Sequence, residues 1–203
     1  MPLTRPSNRR TFIGGAFATA AMIAVPSSGF ALTKSEAEKL IGNMTRDVYN
    51  VINSGKKGAA MYRDFDKVFG KYAAVNAIAR ACLGPPWRTA SASERNAYTA
   101  AFRGYLSRKY GKRFHEFIGS RINVVSSRAV KSGYLVKSVM KLNGSSPFNV
   151  DWQVFERNGT IQMFDLYIEG ISMIKSEREE VGSMLDKSGG KISKLVTRLN
   201  KAG

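Results

Sequence analysis

One cysteine, one histidine and six prolines are spread over a chain of 203 residues. With Cys82 alone there is no intramolecular disulfide, so the fold must rest on its apolar core. Ile78, Ala79 and Leu83 beside it mark a buried thiol, the alternative being a reactive one. His115 sits between Phe114 and Glu116 in a helical stretch and reads as a solvated side chain before it reads as a general base. No Cys/His cluster has metal-ligand spacing, no glycine-rich loop opens a helix, and no nucleophile elbow is present. These absences leave few of the common routes to catalysis.

Acid is scarce too: 15 Asp and Glu stand against 32 Lys and Arg, a formal net charge of +17. Such an excess implies anionic partners, although a solvated charged exterior is the plainer reading. Long hydrophobic runs are missing after the N-terminus. The one run, Phe12 to Val25, follows Arg5, Arg9 and Arg10 and precedes Pro26 and the small residues up to Ala31. This is the pattern of a cleavable export signal over residues 1–31, and the run is short of the ~20 residues that a membrane span needs. Asn8-Arg9-Arg10-Thr11-Phe12-Ile13 resembles a twin-arginine signal, the alternative being an ordinary secretory n-region. Only three of the basic residues and none of the acidic ones precede residue 32, so the exported chain stays strongly basic. Export makes nucleic acid an implausible partner and leaves anionic lipid headgroups or acidic protein surfaces.

The 43% of hydrophobic residues suffices for one buried domain over residues 32–203. Leu40, Ile41, Met44, Val48, Val51 and Ile52 form a stripe at helical spacing over residues 35–53, opened by Ser35 and Glu38 as a capping box and stopped by Gly55. A second helical stretch, Met61 to Leu83, changes phase near Gly70 to Ala74 and splits in two before Gly84-Pro85-Pro86. The third runs from Ser91 to Ile118. Ser91 and Glu94 cap it, and Tyr98, Phe102, Leu106, Tyr110 and Phe114 recur every four residues along it. That stripe reads as core or as the wall of a cavity. After Gly119 the period becomes two: residues 121–129, 133–142, 146–156 and 160–168 read as strands joined by short turns, hence an antiparallel meander. Two closing helices follow, over residues 172–187 and 191–200, with Gly189-Gly190 between them. The expected fold class is α+β: N-terminal helices packed against a curved four-stranded antiparallel sheet, with C-terminal helices.

The stretch 160–180, TIQMFDLYIEGISMIKSEREE, holds the densest pattern in the chain. Asp165 and Glu169 are its carboxylates in the strand and turn; they could pair as acid and base, or an inward Asp165 could anchor the turn. The stretch resembles the strongest signature of the MlaC family, through Asp165, Glu169-Gly170-Ile171-Ser172 and Ser176-Glu177-Arg178. The resemblance extends in order through Phe65, Ile78-Ala79-Arg80, Leu83-Gly84 with Trp87-Arg88-Thr89-Ala90, Phe102 with Tyr105-Leu106 and Tyr110, and Asp151-Trp152. It departs at Val181, where members of that family usually carry Phe.

The resemblance implies a monomeric periplasmic protein that shuttles phospholipid between an outer-membrane lipoprotein complex and an inner-membrane ABC transporter with an MCE-domain subunit. It also implies an apolar cavity enclosed by helices and sheet, which takes the acyl chains as cargo and leaves the headgroup outside, with no cofactor and no metal. Phe102, Leu106, Tyr110, Val136, Val139, Trp152, Val154, Met163, Phe164 and Leu166 are the expected lipid-binding residues. Two rivals stand beside this reading: an enzyme with Asp165 as base, and a ligand-free basic adaptor.

Overall fold

A computed structural model describes residues 32–203; the export signal assigned to residues 1–31 lies outside the described residues. Helix α1 (Lys34–Ile52) is capped by Thr33, two residues before the expected cap at Ser35. Thr33 and Glu36 satisfy the same Ser/Thr-x-x-Glu pattern: Glu36 N donates to Thr33 Oγ1 (3.3 Å) and Thr33 N donates to Glu36 Oε2 (2.9 Å). Glu38, expected in the cap, instead accepts from Ser127 Oγ at 2.6 Å and pins α1 to the sheet.

The phase change near Gly70 is a break between α2 (Gly58–Tyr72) and α3 (Val75–Leu83). At the break Ala74 N donates to Met163 O (2.9 Å) and Gln162 Nε2 donates to Ala73 O (3.2 Å), so the freed backbone groups find partners on a strand. A short turn of helix, α4 (Pro86–Thr89), leads into α5 (Ala92–Gly111), capped by Ser91 and Glu94 as expected. Helix α5 ends at Gly111 and not near Ile118. A side chain at that position would meet the Tyr62 ring of α2, whose Cδ1 lies 2.5 Å from an ideal Cβ. A 3-10 turn, Phe114–Phe117, follows; it carries His115, whose side chain lies outside the described residues.

The strands β1 (Arg121–Val130), β2 (Gly133–Lys141), β3 (Phe148–Arg157) and β4 (Thr160–Ile168) form the expected meander, extended by a two-residue β5 (Ile171–Ser172) to five antiparallel strands in the order β1-β2-β3-β4-β5. Two hairpins turn on residue pairs with positive φ at both positions, Asn158-Gly159 (52° and 72°) and Glu169-Gly170 (48° and 79°), as two-residue turns of the I′ kind demand. Gly133 is required for another reason: a Cβ there would stand 2.1 Å from the carbonyl oxygen of Val154 on the neighbouring strand.

Helices α6 (Met173–Asp186) and α7 (Ile192–Lys201) close the chain, α6 against α3 and β4, α7 against α5. Helix α1 touches β1, β2, β3 and β4, so the open sheet wraps around it. Asp47 accepts from Tyr72 (2.7 Å) and Lys71 (3.0 Å), which ties α1 to α2. Arg103 of α5 grips both carboxylate oxygens of Asp66 on α2. No described helix is long and apolar enough to cross a membrane.

Candidate ligand cavity

Side-chain parity decides which strand residues face the helices. Tyr134, Val136, Ser138 and Met140 on β2 pair with Val154, Trp152, Val150 and Phe148 on β3, and these share the inner face. Val139, three residues from Val136, therefore lies on the outer face opposite Asn149. On β4 a bulge between Gln153 and Val154 of β3 inserts one residue, so Val154 pairs with Met163 while Trp152 pairs with Leu166. Met163 and Leu166 thus both turn inward although three residues separate them. Phe164, the extra residue, packs edge-on against Phe155 with ring centroids 5.6 Å apart.

Between this inner face and the helices lies a cavity of about 290 Å³, at the lower end of the ~300–1,000 Å³ usual for small-molecule sites. Helix α1 supplies Met44, Val48, Tyr49 and Ile52; α2 supplies Phe65 and Phe69; α5 supplies Leu106 and Tyr110; the sheet supplies Ile122, Met140, Phe148, Val150, Trp152, Met163, Leu166 and Ile168. Methionines at several of these positions give the wall adaptable, polarizable surface. The Trp152 ring can face the apolar space because its Nε1–H is satisfied within the wall, donating to Ser138 Oγ at 3.0 Å.

Buried Met44, Phe69, Leu106, Val150 and Met163 line the deep part of the cavity, and among the described residues the exposed ones that line it are Arg113, Glu116 and Ile168. Arg113 and Glu116 pair at 2.9 Å on the 3-10 turn and set a polar rim at the mouth. Tyr49 Oη and Ser120 Oγ, 3.1 Å apart, hold α1 to the segment between that turn and β1. The geometry suits a ligand with an apolar body and a polar end.

Five of the ten expected residues, Leu106, Tyr110, Trp152, Met163 and Leu166, stand together in this wall. Phe102, Val136 and Val154 do not: each is fully buried in the core, with Phe102 stacked on Tyr98 at 5.7 Å. Val139 and Phe164 do not line it either: Val139 is on the outer face of β2, and Phe164 is the bulge residue, partly buried against the core. The α1 and α2 contribution was not foreseen; its signal was present as an apolar stripe on α1, and such a stripe reads the same whether it meets core or cavity.

Behind the wall, Tyr110 donates to Glu177 Oε1 (2.6 Å), which also accepts from Lys109 (2.7 Å), and Lys109 reaches Glu180 at 2.5 Å. Glu177 is 1% exposed. Burial pulls the Lys109 ammonium down, but the carboxylates of Glu177 and Glu180 outweigh it and leave its pKa raised. This cluster fixes the Tyr110 ring in the cavity wall and clamps α5 to α6.

Asp165 is buried away from the cavity. Its Oδ1 accepts from the backbone N–H of Leu166 (2.8 Å) and Ile174 (3.0 Å), and its Oδ2 accepts from Ser172 Oγ (2.5 Å). The carboxylate therefore caps the first turn of α6 and fixes the corner after β4. Glu169 accepts from the backbone N–H of Asn149, so the two acids serve separate backbone contacts and do not face each other as an acid–base pair. Among the described residues no group of three or more His, Cys, Asp or Glu could hold a metal ion.

Fold and site together define a ligand-holding α+β domain whose cavity is apolar inside and polar at its mouth. The MlaC protein family model matches residues 42–201, and the chain belongs to the MlaC family. The intermembrane phospholipid transport system binding protein MlaC of Haemophilus influenzae is 20% identical over 125 residues, 59% of this chain and 58% of that relative's length. The phospholipid-binding protein of Ralstonia solanacearum, solved in complex with a phospholipid, has the same fold: TM-score 0.71 at 18% identity, over 81% of this chain and 95% of that one.

Proposed function

We propose that this protein is a periplasmic phospholipid carrier, its cavity taking acyl chain while the headgroup stays at the Arg113–Glu116 mouth. The observation that carries the proposal is the apolar cavity, whose charged lining residues among those described, Arg113 and Glu116, are both exposed. Family membership supports it, as do the phospholipid-transport role of the Haemophilus relative and the ligand of the Ralstonia structure. The Haemophilus relative favours lipid transport and the Ralstonia ligand lipid binding, in place of catalysis.

Two acyl chains hold roughly 30 methylenes, and at about 0.8 kcal/mol each their removal from water is worth on the order of 24 kcal/mol. A lipid in a bilayer already has that stabilisation, and a carrier offsets its loss in proportion to the acyl chain it encloses, which in a cavity of about 290 Å³ is part of such a lipid. Direction then comes from partners: in this proposal an inner-membrane ABC transporter with an MCE-domain subunit and an outer-membrane lipoprotein complex. Leu106, Tyr110, Trp152, Met163 and Leu166, with Met44, Val48 and Phe69, are the proposed acyl contacts. Native mass spectrometry of protein purified from the cell envelope should find bound glycerophospholipid. A chain that is reproducibly lipid-free and cannot be loaded overturns the proposal.

A further inference from the structure

Among the described residues the exposed large hydrophobic side chains are Ile118 (55%), Val124 (41%), Val125 (65%), Ile168 (44%) and Ile171 (65%). Three of them gather at one end of the sheet. Ile168 lines the cavity mouth and pairs with Ile171 across the Glu169-Gly170 turn. Ile118 directly follows the lining residue Phe117, and its carbonyl accepts from Asn143 Nδ2 (3.2 Å) in the loop after β2. Ile118 precedes β1, while Ile168 ends β4 and Ile171 opens β5, so β2 and β3 stand between the two sides. The isoleucines therefore flank the opening and do not merge into a continuous patch, as the core of a protein–protein interface would.

The same end carries an unusual charge arrangement. Arg121 and Lys141, both exposed, pair directly across β1 and β2, and among the described residues neither has a carboxylate within ion-pair distance. Like charges directly opposite each other in a sheet are destabilising, so this pair stands to gain from an external anion. Lys175, in the first turn of α6 beside Met173 of the wall, is a further exposed cation. The nearby acids are already engaged, Glu116 by Arg113 and Glu169 by the Asn149 N–H.

From these observations, and resting on the carrier reading above, we propose that this end of the protein docks on the surface of a bilayer containing anionic lipid. Ile118, Ile168 and Ile171 enter the headgroup layer around the cavity mouth, while Arg121 and Lys141 lie over lipid phosphates. Aliphatic side chains ringed by Lys and Arg are what an interfacial contact uses. An acyl chain would then pass between bilayer and cavity without crossing water.

Flotation with phosphatidylcholine vesicles, with and without phosphatidylglycerol, tests the docking. Uptake of a short-chain, monomeric phosphatidylcholine measures the cavity independently of any membrane. The protein should float with phosphatidylglycerol vesicles, and less so as salt rises. Ile171→Ser combined with Ile118→Ser should weaken that binding about tenfold, and Arg121→Glu with Lys141→Glu should abolish it. None of these four residues lines the cavity, so short-chain uptake should be unchanged. Equal flotation of wild type and variants overturns the docking surface. So does a wild type that takes up short-chain lipid yet never floats, an outcome that leaves the carrier standing and assigns this end to a protein partner. A protein that floats but takes up no short-chain lipid overturns the carrier reading instead.

Discussion

Glu177→Ala should be among the most damaging single changes behind the cavity wall. Glu177 is 1% exposed and accepts hydrogen bonds from Lys109 (2.7 Å) and Tyr110 (2.6 Å). Its removal strands the phenol of Tyr110 in the wall and leaves the Lys109 ammonium with Glu180 alone. Breaking a buried pair by deleting one partner costs about 3–5 kcal/mol. Two features place this case at the lower end. Lys109 keeps Glu180 at 2.5 Å, and Glu177 Oε2 has no hydrogen-bond partner, so part of its burial is already uncompensated. The expected loss is therefore about 3 kcal/mol, or a fall in Tm of about 6–12 °C for a domain of this size. Tyr110→Phe removes one hydrogen bond to a charged group and should cost about 1.5–3 kcal/mol. Because the two residues share that bond, the double variant should lose less than the sum of the singles. Urea unfolding of the four proteins gives the cycle. A Glu177→Ala protein within about 1 kcal/mol of wild type, or strictly additive losses, would refute the claim that this cluster clamps α5 to α6.

Asp165→Asn should lower stability by about 1.5–3 kcal/mol, since a neutral amide serves the Leu166, Ser172 and Ile174 donors less well; lipid content measured on the folded variant should match wild type, and loss of a turnover would revive the enzyme reading. Cys82 should resist alkylation in the native protein and react only on unfolding: burial, with the negative charges of Glu177 and Asp165 near it, pushes its pKa up to about 12. Stability should fall in acid. Hydrogen bonds from Thr33 to Glu36 and from Ser91 to Glu94 hold both carboxyls below their ordinary range. Their contribution is complete above the unfolded value near 4.5 and is lost as pH falls through the folded ones. Lys109 is raised, so its contribution is present below its unfolded pKa of about 10.4 and is lost as pH climbs through the folded value. Tm across the pH range should show a plateau between these flanks, and Glu94→Gln should flatten the acid one.

Helices and strands were legible because local chemistry specifies them. The Ser91 and Glu94 cap, the break before Val75 and the Asn158-Gly159 turn each act over a few residues, and the structure has each where the pattern places it. The misplaced features are those where two local solutions compete or where tertiary contact intervenes. Thr33-x-x-Glu36 and Ser35-x-x-Glu38 are equally good capping boxes by pattern. The earlier one forms, and Glu38 is left to meet Ser127 on β1. The glycine at the end of α5 is required by the approach of the Tyr62 ring, a contact between positions about fifty residues apart that no helical period announces.

The boundary between solid core and cavity wall was the least legible feature, because both are built from the same residue types. Val154 and Trp152 alternate on one strand face and Leu106 lies one helical turn from Phe102, yet in each pair one residue lines the cavity and the other is packed solid. Position along the sheet makes the difference. Toward Tyr134 and Val154 the inner face meets the buried core that includes Phe102; toward Met140, Phe148 and Ile168 the same face lines the cavity. The bulge on β4 then determines how much of that strand contributes. Were the same residues paired regularly from Met163 onward, with no bulge, Leu166 would share the parity of Phe164 and turn outward, and so would Ile168 at the mouth. Pairs of apolar residues three apart on a strand, such as Met163 and Leu166, can face the same way only if a bulge intervenes. Neither residue composition nor periodicity reveals such a bulge, and here it sets both the wall and the rim of the site.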